Sequence, residues 1–275
     1  VLLRVDQYGL AYCQANPVND ILLFKRNDSD RFSRWLVWIN SGEYGAVNNF
    51  SFPRLREPIK GEITYFPEKA VYFYDYGYME VETEVFIPQR GTRVIMSTAI
   101  KNKSGKTLEL DVMPALYPYI NRADYPMWDK PQWYNQTSVG AVDGKIEFIT
   151  RLNDAYGNKH LRRLATFHAE GGCSAEIRME NYMGFGSFEL PDSVKKKSLE
   201  YAFSSLGEGG RFHEERTVYC YQAVYACKYN VTLKDGESRT FTQVLSMQPV
   251  ENLAEYSMAD VREALKFFDE ERREE

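Results

Sequence analysis

Three carboxylates stand on alternate residues of one run, "MEVETEVFI", at Glu80, Glu82 and Glu84. On an extended chain, residues i and i+2 point the same way and lie ~7 Å apart. Paired acids that cleave glycosides sit about 5–9.5 Å apart, but they flank a substrate in a cleft. Here Met79, Val81, Thr83, Val85 and Ile87 form a clean apolar face opposite the acids. That alternation predicts a half-buried strand whose acidic side is wet. On this reading the acids belong to a scaffold.

A second candidate is the stretch "NRADYPMWDKPQWYNQT", residues 121–137. It interrupts the strand pattern with aromatics, prolines and amides, and long loops of that kind are often functional. Trp128, Trp133 and Tyr134 offer flat faces for stacking on a sugar or for docking a subunit. Arg122, Asp124 and Asp129 would supply hydrogen bonds. The bland alternative is an Ω-loop packed on its own aromatics. A second aromatic loop, "MENYMGFGSFELPDSV" (residues 179–194), has Gly184 and Gly186 for close backbone approach. Its Gly-Phe-Gly lacks the lysine and strand-to-helix setting of a phosphate loop. His213 beside Glu214 and Glu215 reads as a solvated surface histidine, and no G-x-S-x-G nucleophile motif occurs.

The four cysteines (Cys13, Cys173, Cys220, Cys227) form no C-x-x-C pair, and His160, His168 and His213 are scattered. Neither a metal site nor a cofactor is therefore expected. Cys220 and Cys227 read as small buried hydrophobes, which points to a reducing, cytoplasmic setting, while the even count leaves one or two disulfides open. A net charge of −5 argues against a nucleic-acid partner. No apolar run approaches a membrane span, and no leader pattern opens the chain.

The elements that must position these residues are strands. Aromatics make up 15% of the 275 residues, and such side chains suit pleated surfaces. "PQRGT" and "NKSGK" are turn sequences, so residues 79–116 predict a three-stranded antiparallel meander. Further strands are expected in "RWLVWINSGEYG", "GEITYF", "KAVYFYDYG", "KIEFITRL", "RRLATFHAE", "AEIRME" and "RTFTQVLSM". Residues 217–233 exceed a usual strand, predicting a bent strand or two strands without a strong turn. Asp235-Gly236 predicts a type I′ hairpin. The convincing helix is C-terminal: Ser257 as cap, then Val261, Ala264, Leu265 and Phe268 as an apolar stripe. It either packs back on the sheet or leads into a following element.

"MEVETEVFIPQRGTRVIMSTAIKNKSGKTLELDV", "YMGFGSFELPDSV" and "YNVTLKDGESRTFTQVLSM" together resemble the N-terminal domain of glycoside hydrolase family 94, the cellobiose and chitobiose phosphorylase group. The likeness covers most of residues 60–275. It implies an all-β fold, a large antiparallel supersandwich of galactose-mutarotase-like shape, with a C-terminal helix. Residues 1–250 would form the sandwich and 251–275 a linker helix. It further implies docking on a helical α/α barrel that holds the catalytic residues, so no catalytic residue is assigned to this chain. An oligosaccharide or β-glucoside is the implied ligand, and a homodimer an implied assembly. The expected function is thus a non-catalytic sandwich domain of a carbohydrate-active enzyme, a β-glycoside phosphorylase. The alternatives are a stand-alone mutarotase-like epimerase or lyase and a structural or subunit-interaction domain.

Overall fold

The computed structural model describes residues 1–15, 21–26, 33–88, 92–119, 121–122, 136–152, 163–208, 214–219, 223–249 and 258–268. Alternating apolar and polar residues become strands along almost all of this length. In chain order these are β1 (Leu2–Asp6), β2 (Gly9–Ala15), β3 (Ile21–Lys25), β4 (Trp35–Ser41), β5 (Gly45–Asn48), β6 (Lys60–Tyr65) and β7 (Lys69–Asp75). There follow β8 (Met79–Phe86), β9 (Arg93–Asn102), β10 (Leu108–Leu116), β11 (Asn121–Arg122), β12 (Gln136–Val142) and β13 (Lys145–Leu152). The remainder are β14 (Arg163–Glu170), β15 (Ser174–Arg178), β16 (Tyr201–Ala202), β17 (Thr217–Tyr219), β18 (Ala223–Leu233) and β19 (Ser238–Pro249). Two helices complete the set, α1 (Met179–Met183) and α2 (Met258–Leu265).

A nine-stranded sheet, ordered β17-β12-β13-β14-β19-β9-β8-β7-β6, faces a six-stranded sheet ordered β16-β15-β18-β10-β4-β5. Every named pairing is antiparallel, as expected of an all-β sandwich. Aromatic rings lock the facing surfaces together: Phe148 stacks on Tyr225, and Trp35 meets Phe167 edge-on. Such ring contacts add to the area buried between the layers. Asn49 joins the layers by hydrogen bonds. Its Oδ1 accepts from Val37 N, and its Nδ2 donates to Thr83 Oγ1. A third sheet, β1-β2-β3-β11, sits against one end of the core through Leu10, Cys13 and Phe24. The first fifty residues gave little sign of it.

The meander breaks after its second strand. β8 and β9 pair as expected, but β10 lies in the other sheet. The Asp235-Gly236 turn departs in the same way: β18 and β19 belong to different sheets and do not pair. Gly236 has φ 77°, while Asp235 is not at positive φ, so the turn is not type I′. Both connections carry the chain from one layer to the other, side by side. Asn102, fully buried, holds this corner. Its Nδ2 donates to the carbonyls of Lys106 and Leu233, and its Oδ1 accepts from Ser104 N. Turn composition alone cannot separate such a corner from a hairpin. Residues 217–233 likewise split, β17 in the large sheet and β18 in the small one.

Residues 179–194 were expected as loop, and they contain the single-turn helix α1 and a 3₁₀ turn at Asp192–Val194. Gly186 approaches backbone closely as expected, since a Cβ there would meet Leu190 O at 2.5 Å. Ser257 lies outside the described residues. α2 itself packs back on the outer face of the large sheet, where Ala264 meets Ile95 and Val244. This contact explains why Ile95, on the outer side of β9, is apolar and buried.

Candidate functional site

β8 settles the acidic alternation. Met79, Val81, Thr83 and Val85 are buried, while Glu80, Glu82 and Glu84 lie on the open side. Glu80 pairs with Lys103 at 2.8 Å and Glu84 with Lys69 at 3.3 Å. The acids are a solvated face, neutralised by neighbouring strands.

Of the six residues proposed from sequence to bind a ligand, Arg122 lies in β11, where it pairs in register with Ile21. Asp124, Trp128, Asp129, Trp133 and Tyr134 lie outside the described residues, as does His213.

A different region draws polar groups together. The outer face of the six-stranded sheet presents Asn40 from β4, Asp111 from β10 and Asn230 from β18 in one cross-strand row. Inward neighbours Leu110, Val112, Val231 and Tyr229 belong to the core, so the alternation aims the polar set outward. A strap formed by α1 and residues 184–200 then covers part of this face. Lys228, in the middle of the aromatic run "YACKYNV", anchors the strap. Its Nζ donates to Ser193 O (2.6 Å), Val194 O (3.1 Å) and Lys196 O, with Asp111 Oδ2 at 3.9 Å. Burial pulls the Lys228 ammonium down to a pKa of about 8, opposed by the nearby Asp111 carboxylate. Asn40 Nδ2 donates to Val194 O, and Asn230 Nδ2 to Asp111 Oδ1 (2.7 Å) and Lys197 O. Each buried polar group on the row has a partner, as low-dielectric surroundings require.

Beside the strap a groove of 380 Å³ remains, lined by Asn40, Glu43, Glu109, Asp111, Lys195 and Lys197 among others. Its size falls within the range of small-ligand sites. Asp111, 9% exposed, lies on its sheet side, Glu43 on the β4–β5 turn, and Lys195 and Lys197 on the strap. Glu43 is held by Lys106 at 2.6 Å, and that hydrogen bond lowers its carboxyl pKa. Carboxylate acceptors and ammonium donors both line the groove. Together they can grip a ligand rich in hydroxyls, which donate to the first and accept from the second. Sequence reasoning missed the groove, because Asn40, Asp111 and Lys195 are remote along the chain. The available signal was Lys228, a lone cation in an apolar strand.

No protein-family model matches the chain, and no curated protein sequence does. Solved structures do match. A polysaccharide lyase superposes with a TM-score of 0.50 over 90% of this chain and 32% of its own, at 12% identity. The chain shares the fold of that region. A protein described as a kojibiose phosphorylase from the human microbiome gives a TM-score of 0.41 at 7% identity, covering 93% of this chain and 26% of that one. A family 36 α-galactosidase from Geobacillus stearothermophilus gives 0.31 at 12% identity, covering 88% and 30%. The chain thus spans about a third or less of the length of each of these structures. No helix among the described residues is long and apolar enough to cross a membrane.

Proposed function

We propose that this chain is the non-catalytic β-sandwich domain of a carbohydrate-active enzyme, a β-glycoside phosphorylase. It frames an oligosaccharide or β-glucoside and docks on a helical α/α barrel that carries the chemistry, with residues 251–275 as the linking helix. The observation that carries the reading is the groove over Asn40 and Asp111, polar, rigidly backed by a sheet and sized for a small saccharide. Arg122, Asp124, Trp128, Asp129, Trp133 and Tyr134 form the proposed stacking and hydrogen-bonding edge of the same function. A reducing, cytoplasmic setting belongs to the proposal, and free thiols at Cys13, Cys173 and Cys227 support it.

Calorimetric titration with a panel of glucosides at millimolar concentration tests the reading. Binding is expected, weakened severalfold by Asp111→Asn and by Trp128→Ala or Trp133→Ala. Absence of heat across the panel, with tryptophan fluorescence unchanged, sinks it for this domain. The likeness to a polysaccharide lyase favours one second reading, in which the chain itself eliminates across a sugar linkage. Incubation with uronate polymers separates the two, since chain cleavage with a rise in ultraviolet absorbance would put catalysis on this chain.

A further inference from the structure

The nine-stranded sheet is wider than its partner, and it ends in a strand that no other described strand pairs on its outer side. β6 pairs with β7 on one side only, from Lys60↔Asp75 to Tyr65↔Ala70, and five of its six residues are exposed. Three of the seven large apolar side chains exposed among the described residues lie on or next to this strand: Ile59, Tyr65 and Phe66. Ile59 is 76% exposed. An open edge of this kind is a template for pairing with another strand, and proteins usually blunt it with proline, a bulge or an isolated charge.

The sequence along this edge is a charge-complementary palindrome, Ile59-Lys60-Gly61-Glu62-Ile63. We propose that β6 pairs antiparallel with β6 of a second copy of this chain, about a two-fold axis through Gly61. The nine-stranded sheet then continues across the dimer. In that register Lys60 of each copy stands opposite Glu62 of the other, and Ile59 opposite Ile63. No other register in this stretch pairs both charges and both isoleucines with complementary partners.

The backbone is set for this pairing. Phe66 N donates to Lys69 O at 2.8 Å, which makes Phe66 and Lys69 a hydrogen-bonded pair. Bonded and open residues alternate along an antiparallel edge. The even-numbered residues of β6 therefore bond to β7, and Gly61, Ile63 and Tyr65 turn their N–H and C=O groups to the open side. Gly61 can exchange two bonds with its symmetry mate. Ile63 N can donate to the carbonyl of Ile59 in the other copy, the one bond left to that pair, since Ile59 N is committed to Asp75 O. Lys60 and Glu62 now pair with each other within one strand at 2.9 Å. Dimerisation exchanges that pair for two cross-strand pairs in the closer, non-hydrogen-bonded register, where side-chain contact is strongest. Two-fold pairing of one patch with itself is the commonest way chains form dimers.

Sedimentation velocity on the full chain across micromolar concentrations tests the proposal, and it is independent of any saccharide binding. Wild type is expected to dimerise. Lys60→Glu sets Glu against Glu twice and Glu62→Lys sets Lys against Lys twice, so each alone should weaken the dimer by about ten-fold or more. Mixing these two variants restores complementarity at both positions, and a heterodimer should form with wild-type affinity. Circular dichroism of each variant, matching wild type, excludes misfolding as the cause. A wild type that stays monomeric overturns the proposal. So does a dimer indifferent to both single variants, or a mixture that fails to associate.

Discussion

On the outer face of the large sheet, Glu80 and Glu84 meet Lys103 and Lys69 in water. On the outer face of the small sheet, Asp111 and Lys228 meet beneath a strap of chain. The residue types are the same, yet cover decides what they do. Exposed pairs are screened and contribute little. A buried ammonium must find acceptors, and here it finds three carbonyls and thereby holds the strap that walls a groove.

Removing the buried cation should break this contrast most sharply. Lys228→Met strands the carbonyls of Ser193, Val194 and Lys196, and relief of the desolvation penalty offsets only part of that loss. A fall of about 2 kcal/mol in unfolding free energy is expected from urea titration at neutral pH. Proteolysis within residues 184–200 should accelerate in parallel. Equal stability to wild type would mean that the strap does not depend on Lys228.

A smaller effect should appear in the pH dependence. The Lys228 pKa falls from 10.5 in the unfolded chain to about 8 in the fold. Between those values the unfolded state binds a proton that the native state has shed, so this group's contribution to stability rises with pH. Below pH 8 both states are protonated and the contribution is flat. The slope can reach about 1.4 kcal/mol per pH unit, and it should vanish in Lys228→Met. Buried tyrosines, raised by desolvation, act in the opposite direction only above pH 10. Wild-type and variant stabilities measured from pH 7 to about 10 check the difference. The smallest effect belongs to the open face: Glu82→Gln should change stability by no more than about 0.5 kcal/mol.

The same contrast marks what could be read from sequence. Faces were legible, because period-two alternation is local: β7 and β8 show it, and their burial follows it. Layers were not. "NKSGK" and "KDGES" have the composition of hairpin turns, and only the long-range bonds of Asn102 and Asp235 reveal a corner between sheets. The groove was hidden from sequence for a related reason. Asp111 alternates with Leu110 and Val112 and so points outward, but the strap that buries it comes from residues 192–200, remote in sequence. Local pattern gives direction, and distant chain gives environment.

The paired corners also bear on how the molecule folds. β9 and β10 leave one layer for the other beside β18 and β19, and the two connections bond directly through Gly105 N and Asp235 Oδ1. Lys101 pairs with Ser238, and Leu108 with Leu233. Neither layer can close its centre without the other, because the same two crossings supply central strands to both. Such distant pairings must form before the chain gains from them, which makes folding slow. The two sheets are one cooperative unit with a common seam.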